Sequence, residues 1–318
     1  MLRLRRWAQL ATLLGSGLAL ADPYDFLVYR LGQPAPVICE PAEGGCNIPK
    51  TSGQPTFVAL GTPGANAAFR SFARELAAAL TSVNLSPPET LGHSGFAVNA
   101  ELSVVQWKTA QFAMPTEQAV PSSVLVPSVH LRKGLPFSFE VGTRTGWIEK
   151  SRMAVGTLEV KWALNEGFTY LPDLGVRGYG TRLFNTRDFY LTAAGLDIGL
   201  GKQFAVGGMI TLYPYAGWNL VWVSATSGIV DFRPSRTNEE SMRSKNSQLQ
   251  DTTVFEDLGL GANQHSRVYG GLRFIGGVVQ IGAEVSLSRL GKFHDATTDT
   301  DVAMPDLLTV NFTLGLDF

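Results

Sequence analysis

The chain has 318 residues, and its 26 Lys and Arg against 27 Asp and Glu leave a formal charge of −1, so neither a basic nucleic-acid surface nor a strongly acidic tail underlies its function. Only 17% of the residues are charged, against about 25% in ordinary soluble domains. The 34 Gly, 18 Phe, 8 Tyr and 6 Trp point instead to β structure with much apolar surface.

The first residues, MLRLRR, are basic, and an apolar run from Trp7 to Leu18 leads to Ala19-Leu20-Ala21. That order is the pattern of an export signal with a small-residue cleavage site, so residues 1–21 are read as a signal peptide and Asp22 as the start of the mature chain. Past this point no apolar run reaches the about 18 residues that a membrane-spanning helix requires. Membrane helices are therefore excluded, and an exported soluble protein or a barrel remains.

Residues 22–94 do not alternate and are expected to form a small periplasmic segment. Cys39 and Cys46 enclose EPAEGG, a spacing that suits a local disulfide in an oxidising compartment and does not suit a C-x-x-C redox site. Further on, Phe69, Phe72, Ala73, Leu76, Ala77 and Leu80 recur at helical spacing, with Pro63-Gly64 before them and Pro87-Pro88 after. They predict an amphipathic helix over about 63–83, whose apolar side requires cover. A cap beneath a barrel is the favoured placement, because a ten-stranded barrel encloses little more than its own side chains. A plug inside the barrel and a docking face for an envelope protein are the alternatives.

From about residue 95 the period changes to two. Phe96, Val98, Ala100, Leu102 and Val104 share one face, opposite Asn99, Glu101 and Ser103. The same alternation opposes Phe137, Phe139, Val141 and Trp147 to Ser138, Glu140 and Arg144. It also opposes Leu158, Val160, Trp162 and Leu164 to Thr157, Glu159 and Lys161. Further strands are expected at 121–132, 168–182, 188–201, 204–224, 265–276, 278–290 and 307–318, about ten in all. Short connections alternate with long ones, the link at Glu149–Arg152 excepted, and the longest spans 225–264. Trp107, Trp147, Trp162, Trp218 and Trp222 fall near strand ends, where a barrel places its aromatic girdles.

The chain ends on LLTVNFTLGLDF, with Val310, Phe312, Leu314, Leu316 and Phe318 on one face. This ending resembles the bacterial outer-membrane β-barrel superfamily, whose last strand closes on a terminal Phe. The resemblance implies an antiparallel up-and-down transmembrane barrel over 95–318, in the outer membrane, with those five residues as the signal read by the barrel-assembly machinery. LGHSGFAVNAE, KGLPFSFEVG, RGYGTRLF and LTAAGLDIGLGK resemble a group of proteobacterial outer-membrane proteins over about residues 70–220. That likeness implies location and fold and attaches no chemistry.

With the apolar face outward, the inward face collects Glu101, Glu140, Glu159, Asp197 and Glu284 together with Arg144, Lys161, Arg177 and Arg273. Tyr213, Tyr215, Asn219, Gln280 and Asn311 join them. Near parity of sign favours a cross-linked polar lumen over a selectivity pore. No Asp-x-His is present for an omptin-type protease, and His93, His130, His265 and His294 are scattered. His265-Ser266 is the one rim pair from which a hydrolase could be built. Asp295, Asp299 and Asp301 are weak cation candidates that lack the EF-hand spacing, and no cofactor is expected. The sequence therefore favours a non-enzymatic barrel, either a small porin or a structural and docking element of the envelope. A binding protein acting through the 225–264 loop is the alternative, and a rim hydrolase the second. Expected partners are outer-membrane lipid and lipopolysaccharide, the assembly machinery, and an envelope protein at helix 63–83.

Overall fold

The computed structural model describes residues 23–32, 34, 64–107, 114–116, 118–207, 210–228, 230–231, 252–295 and 298–318. Residues 1–21, read from the sequence as a signal peptide, Cys39 and Cys46 with their expected disulfide, and much of the 225–264 loop lie outside the described residues.

Ten antiparallel strands form a closed barrel: β1 (Phe96–Gln106), β2 (Ser123–Leu135), β3 (Phe139–Trp147), β4 (Ala154–Asn165), β5 (Asp173–Phe184), β6 (Phe189–Gly201), β7 (Ile210–Ser227), β8 (Gln264–Gly276), β9 (Val279–Arg289) and β10 (Leu307–Asp317). Each pairs with its neighbours in sequence, and β10 returns to β1, where Ala100 lies opposite Leu314 and Leu102 opposite Phe312. The last strand is no free edge, because the Phe96 and Phe318 amides exchange backbone hydrogen bonds at 2.9 and 2.8 Å.

The connections β2–β3, β4–β5, β6–β7 and β8–β9 gather on one rim with both ends of the barrel chain, and the longer loops gather on the other. The link from Trp147 to Ala154 is the tight member of the long-loop rim, closed by Ile148 donating to the Met153 carbonyl at 3.2 Å.

Period-two alternation sorts side chains as the sequence leads one to expect. Ala97, Asn99, Glu101, Ser103 and Val105 are buried inward, while Phe96 and Leu102 face out. The outer surface is apolar, with Leu158, Val160, Ile281, Val285, Phe312 and Leu314 all exposed. Phe139 and Trp162 stack across neighbouring strands near the short-turn rim, their ring centroids 5.5 Å apart, and Trp147, Phe184 and Tyr190 stand exposed near the long-loop rim. At ~3.3 Å per residue and a tilt of about 40°, the span from Phe139 to Trp147 is about 20 Å. Trp107 departs from the girdle expectation, because it packs against the interior cluster.

The lumen is filled in two layers. Towards the long-loop rim the inward residues are aliphatic or aromatic, among them Val105, Val126, Val155, Leu183, Phe189, Val221 and Val223. Towards the short-turn rim they are charged. Helix α1 (Ala65–Leu80) occupies the apolar layer, with nearly its whole circumference buried. Phe69 stacks on Phe255 at 4.8 Å and meets Phe189 edge-on at 5.8 Å, and Phe72 lies against Phe26. This corrects the favoured placement of the helix as a cap beneath the barrel. Space exists because both partners are slim there: the wall offers Val, Ala and Leu, and the helix turns Ala67, Ala68, Ala73, Ala77 and Ala78 towards it.

Residues 23–31 lie at the long-loop rim, away from the short turns. The Tyr24 amide donates to the Lys150 carbonyl, the Leu27 amide to Pro115, and the Gln118 amide to Pro23. From α1 the chain descends through residues 81–91 to the short-turn rim, where Thr90 meets Glu166 in the β4–β5 turn at 2.8 Å. It then enters β1.

Candidate functional site in the barrel lumen

The charged layer is built by strand phase. Every inward acid and base anticipated from the sequence, Glu101, Glu140, Glu159, Asp197, Glu284, Arg144, Lys161, Arg177 and Arg273, is buried within the wall. Tyr213, Tyr215, Asn219, Gln280 and Asn311 are buried beside them. His130, Arg132, Arg267 and Asp173 belong to the same layer and were missed by sequence reasoning. A strict count of two along β2, from Val124 through Val126, Ser128 and His130 to Arg132, would have found the first pair, but Pro127 and the serines blur that strand's alternation.

Two clusters are bridged across the strands. His130 faces Glu101 through Nδ1 at 2.9 Å and Glu159 through Nε2 at 2.8 Å. Arg144 donates to Glu101 at 2.6 Å, and Arg177 donates to Glu159 at 2.9 Å and to Asp197 at 3.2 Å. Nearer the short-turn rim, Glu140 pairs with Lys161 at 3.0 Å and with Arg132 at 3.5 Å, while Arg132 and Arg273 approach Asp317. Each charge buried in this way is opposed by one of the other sign, the condition under which burial of ions is tolerated.

What the wall grips is the chain itself. Arg267 donates to the Ala78 carbonyl at 2.7 Å and to those of Thr81 and Ser82 at 3.3 and 3.2 Å, so it closes the C-terminus of α1 with a cation where the helix dipole is negative. Arg144 and Arg177 both donate to the Ser82 hydroxyl and to the Val83 carbonyl. Glu284 accepts from the Leu85 amide at 2.9 Å, and Glu140 from the Leu91 amide at 3.0 Å. Lys161 donates to the carbonyls of Pro87 and Glu89 at 3.2 and 2.9 Å. Pro87-Pro88 keeps this stretch extended, leaving its carbonyls free of helix bonding and open to the wall.

Tyrosines complete the packing. Tyr269 donates to Asp197 at 2.5 Å and accepts from Asn84 at 2.9 Å. Tyr179 and Tyr269 lie across inward Gly195 and Gly217, where a Cβ would overlap their rings. The arrangement bonds residues 78–91 to the wall from several strands at once.

The remaining candidate residues do not converge. His265 is buried inward and Ser266 points to the opposite face, as neighbours in a strand must, so the pair imagined for a rim hydrolase is not formed. Neither ring nitrogen of His265 has a hydrogen-bond partner among the described residues. Asp295 is buried and accepts from Thr298 at 2.7 Å. Asp301 is exposed and pairs with Lys292 at 2.6 Å, and Asp299 points into solvent near His294 at 3.5 Å. The Lys292 ammonium holds the Asp301 carboxyl below the usual range. Among the described residues no three His, Cys, Asp or Glu side chains gather to hold a metal. Val310, Phe312, Leu314, Leu316 and Phe318 line the outer face of β10.

No protein-family model and no curated protein matches the chain. Among solved structures it is similar to the attachment invasion locus protein Ail of Yersinia pestis, at 10% identity and a TM-score of 0.26, over 71% of this chain and 99% of that one. It is similar to Neisserial surface protein A at 10% identity and a TM-score of 0.29, over 70% and 95%. It is also similar to the outer membrane protease OmpT from Escherichia coli at 8% identity and a TM-score of 0.32, over 75% and 99%. The barrel assignment stands on the closed strand pairing, independently of these likenesses.

Proposed function

We propose that the chain is a non-enzymatic barrel of the bacterial outer membrane, stoppered by its own residues 64–91, and that it serves as a sealed structural and docking element of the envelope with its long loops outward. The apolar outer face and the aromatics near both rims support a bilayer setting, since open edges do not survive in hydrocarbon and this barrel has none. Contact with lipid and lipopolysaccharide follows from that setting. Recognition of Val310, Phe312, Leu314, Leu316 and Phe318 by the assembly machinery belongs to the same reading.

The observation that carries the sealed state is the use of the wall charges. Arg144, Arg177, Arg267, Lys161, Glu140 and Glu284 all spend hydrogen bonds on the backbone of residues 78–91. A porin of this width would direct such groups at passing solute. Single-channel recording on the refolded mature chain tests the reading. The intact protein should be silent, a variant lacking residues 64–91 should open steady channels, and Arg267→Ala, which frees the end of α1, should flicker. Steady channels from the intact protein would sink it in favour of a pore.

A further inference from the structure

Towards the long-loop rim the stopper carries two arginines four residues apart, Arg70 and Arg74, on one side of α1. Both guanidinium groups lie over the ring of Phe293, at 4.8 and 5.9 Å from its centroid. Arg70 Nε donates to Asn263 Oδ1 at 2.9 Å. Arg74 is only 4% exposed and donates to the backbone carbonyls of Gln264 and Leu290 at 3.2 and 2.5 Å. No carboxylate among the described residues lies within ion-pair distance of either arginine, in contrast to Arg144 and Arg177 below them. Among the described residues the Nε of Arg74 has no acceptor, and His265, two residues beyond Asn263, is buried with both ring nitrogens unpartnered.

Like charges at i and i+4 destabilise a helix, and a buried cation without a counter-charge is costly. In the charged layer Arg132, Arg144, Lys161 and Arg177 are each set against a carboxylate, while Arg267 is met by the carbonyls that end α1. We propose that Arg70 and Arg74, with Asn263 beside them, form a site for a phosphate-class oxyanion at the long-loop rim. A tetrahedral oxyanion offers enough lone pairs to accept from both guanidinium groups at once, and its charge supplies what the protein leaves out. Arg70 is half-buried and forms the open side of the site, whereas Arg74 forms its floor. Burial, and then the nearby Arg70, holds the Arg74 guanidinium down at about 10, as expected of a cation lacking its counter-ion. The same chemistry is presented by a free phosphate and by a phosphorylated lipid headgroup overhanging the rim.

The test uses the full mature chain in lipid nanodiscs, with pyrophosphate as the soluble probe and titration calorimetry as the readout. In zwitterionic discs the wild type should bind pyrophosphate, and Arg70→Gln should weaken binding by about tenfold or more, the worth of a charge-assisted hydrogen bond. Arg70→Lys should retain part of it, and unchanged melting of both variants would show that the fold is intact. Discs containing phosphatidic acid separate the sources. If the anion comes from a headgroup, that lipid lowers the apparent pyrophosphate affinity of the wild type and leaves Arg70→Gln unaffected; if it is a free ion, the lipid changes neither. Absence of pyrophosphate binding by the wild type, or equal binding by wild type and Arg70→Gln, overturns the proposal and leaves the arginines to a loop carboxylate.

Discussion

Glu75 shows how far the fold goes to keep α1 inside the barrel. It lies on the buried helix, 3% exposed, and its Oε1 has no hydrogen-bond partner among the described residues. Burial pushes its carboxyl from the usual 4.5 up to about 8. The native state therefore binds a proton that the unfolded chain has released, over the interval between those two values. Stability falls as the pH rises through that interval, because there the native state holds the extra proton. Glu75→Gln keeps the shape and removes the titration, so its unfolding midpoint should fall less than that of the wild type between pH 5 and pH 9. Parallel pH profiles for the two proteins would mean that Glu75 has a partner or is reached by water. Arg267 is the opposite case, a buried cation whose bonding is supplied almost wholly by the end of the helix.

At the scale of elements, β10 is the clearest test of which way the wall faces. Leu314 is exposed on the outer surface and Thr313 is buried in the lumen, one residue apart. Arginine at Leu314 places a charge on the apolar band and should cost about 2–4 kcal/mol, whereas at Thr313 the outcome is set by crowding inside. Equilibrium unfolding of both variants in lipid decides this, and a Leu314→Arg protein as stable as wild type would reverse the assignment of faces. This phase was legible in the sequence because alternation is a local property, and so were the ten strands and the sign balance of the lumen. The pairing of Glu101 with His130 and of His130 with Glu159 was not legible, because it depends on the register between β1, β2 and β4, set by loops whose lengths do not encode it. The helix was visible as a helix, yet its burial on every side was hidden by reading only the stripe of Phe69, Phe72 and Leu76. Ala67, Ala68, Ala77 and Ala78 around the rest of the circumference were the signal, since a helix apolar nearly all round belongs in an interior.

The whole molecule has an unusual thread. Residues 23–31 hold the long-loop rim, α1 starts there, residues 81–91 run down to the short turns, and only then does the wall begin at Phe96. The segment before the barrel therefore traverses the lumen, and the strands must close around it or admit it before α1 seats. With the long loops outward, as proposed, this geometry puts residues 23–31 on the outer surface, although a cap beneath the barrel would have left them in the periplasm. Cysteine substitution separates the two. Pro23→Cys, in a background where Cys39 and Cys46 are serine, should react with a membrane-impermeant maleimide on intact cells. Phe137→Cys, at the tip of the β2–β3 turn and 87% exposed, should react only after the outer membrane is permeabilised. If both label only after permeabilisation, the N-terminal residues sit below the barrel and the stopper enters from the short-turn side. If Phe137→Cys labels first, the barrel is inserted the other way up, and the long loops face the periplasm.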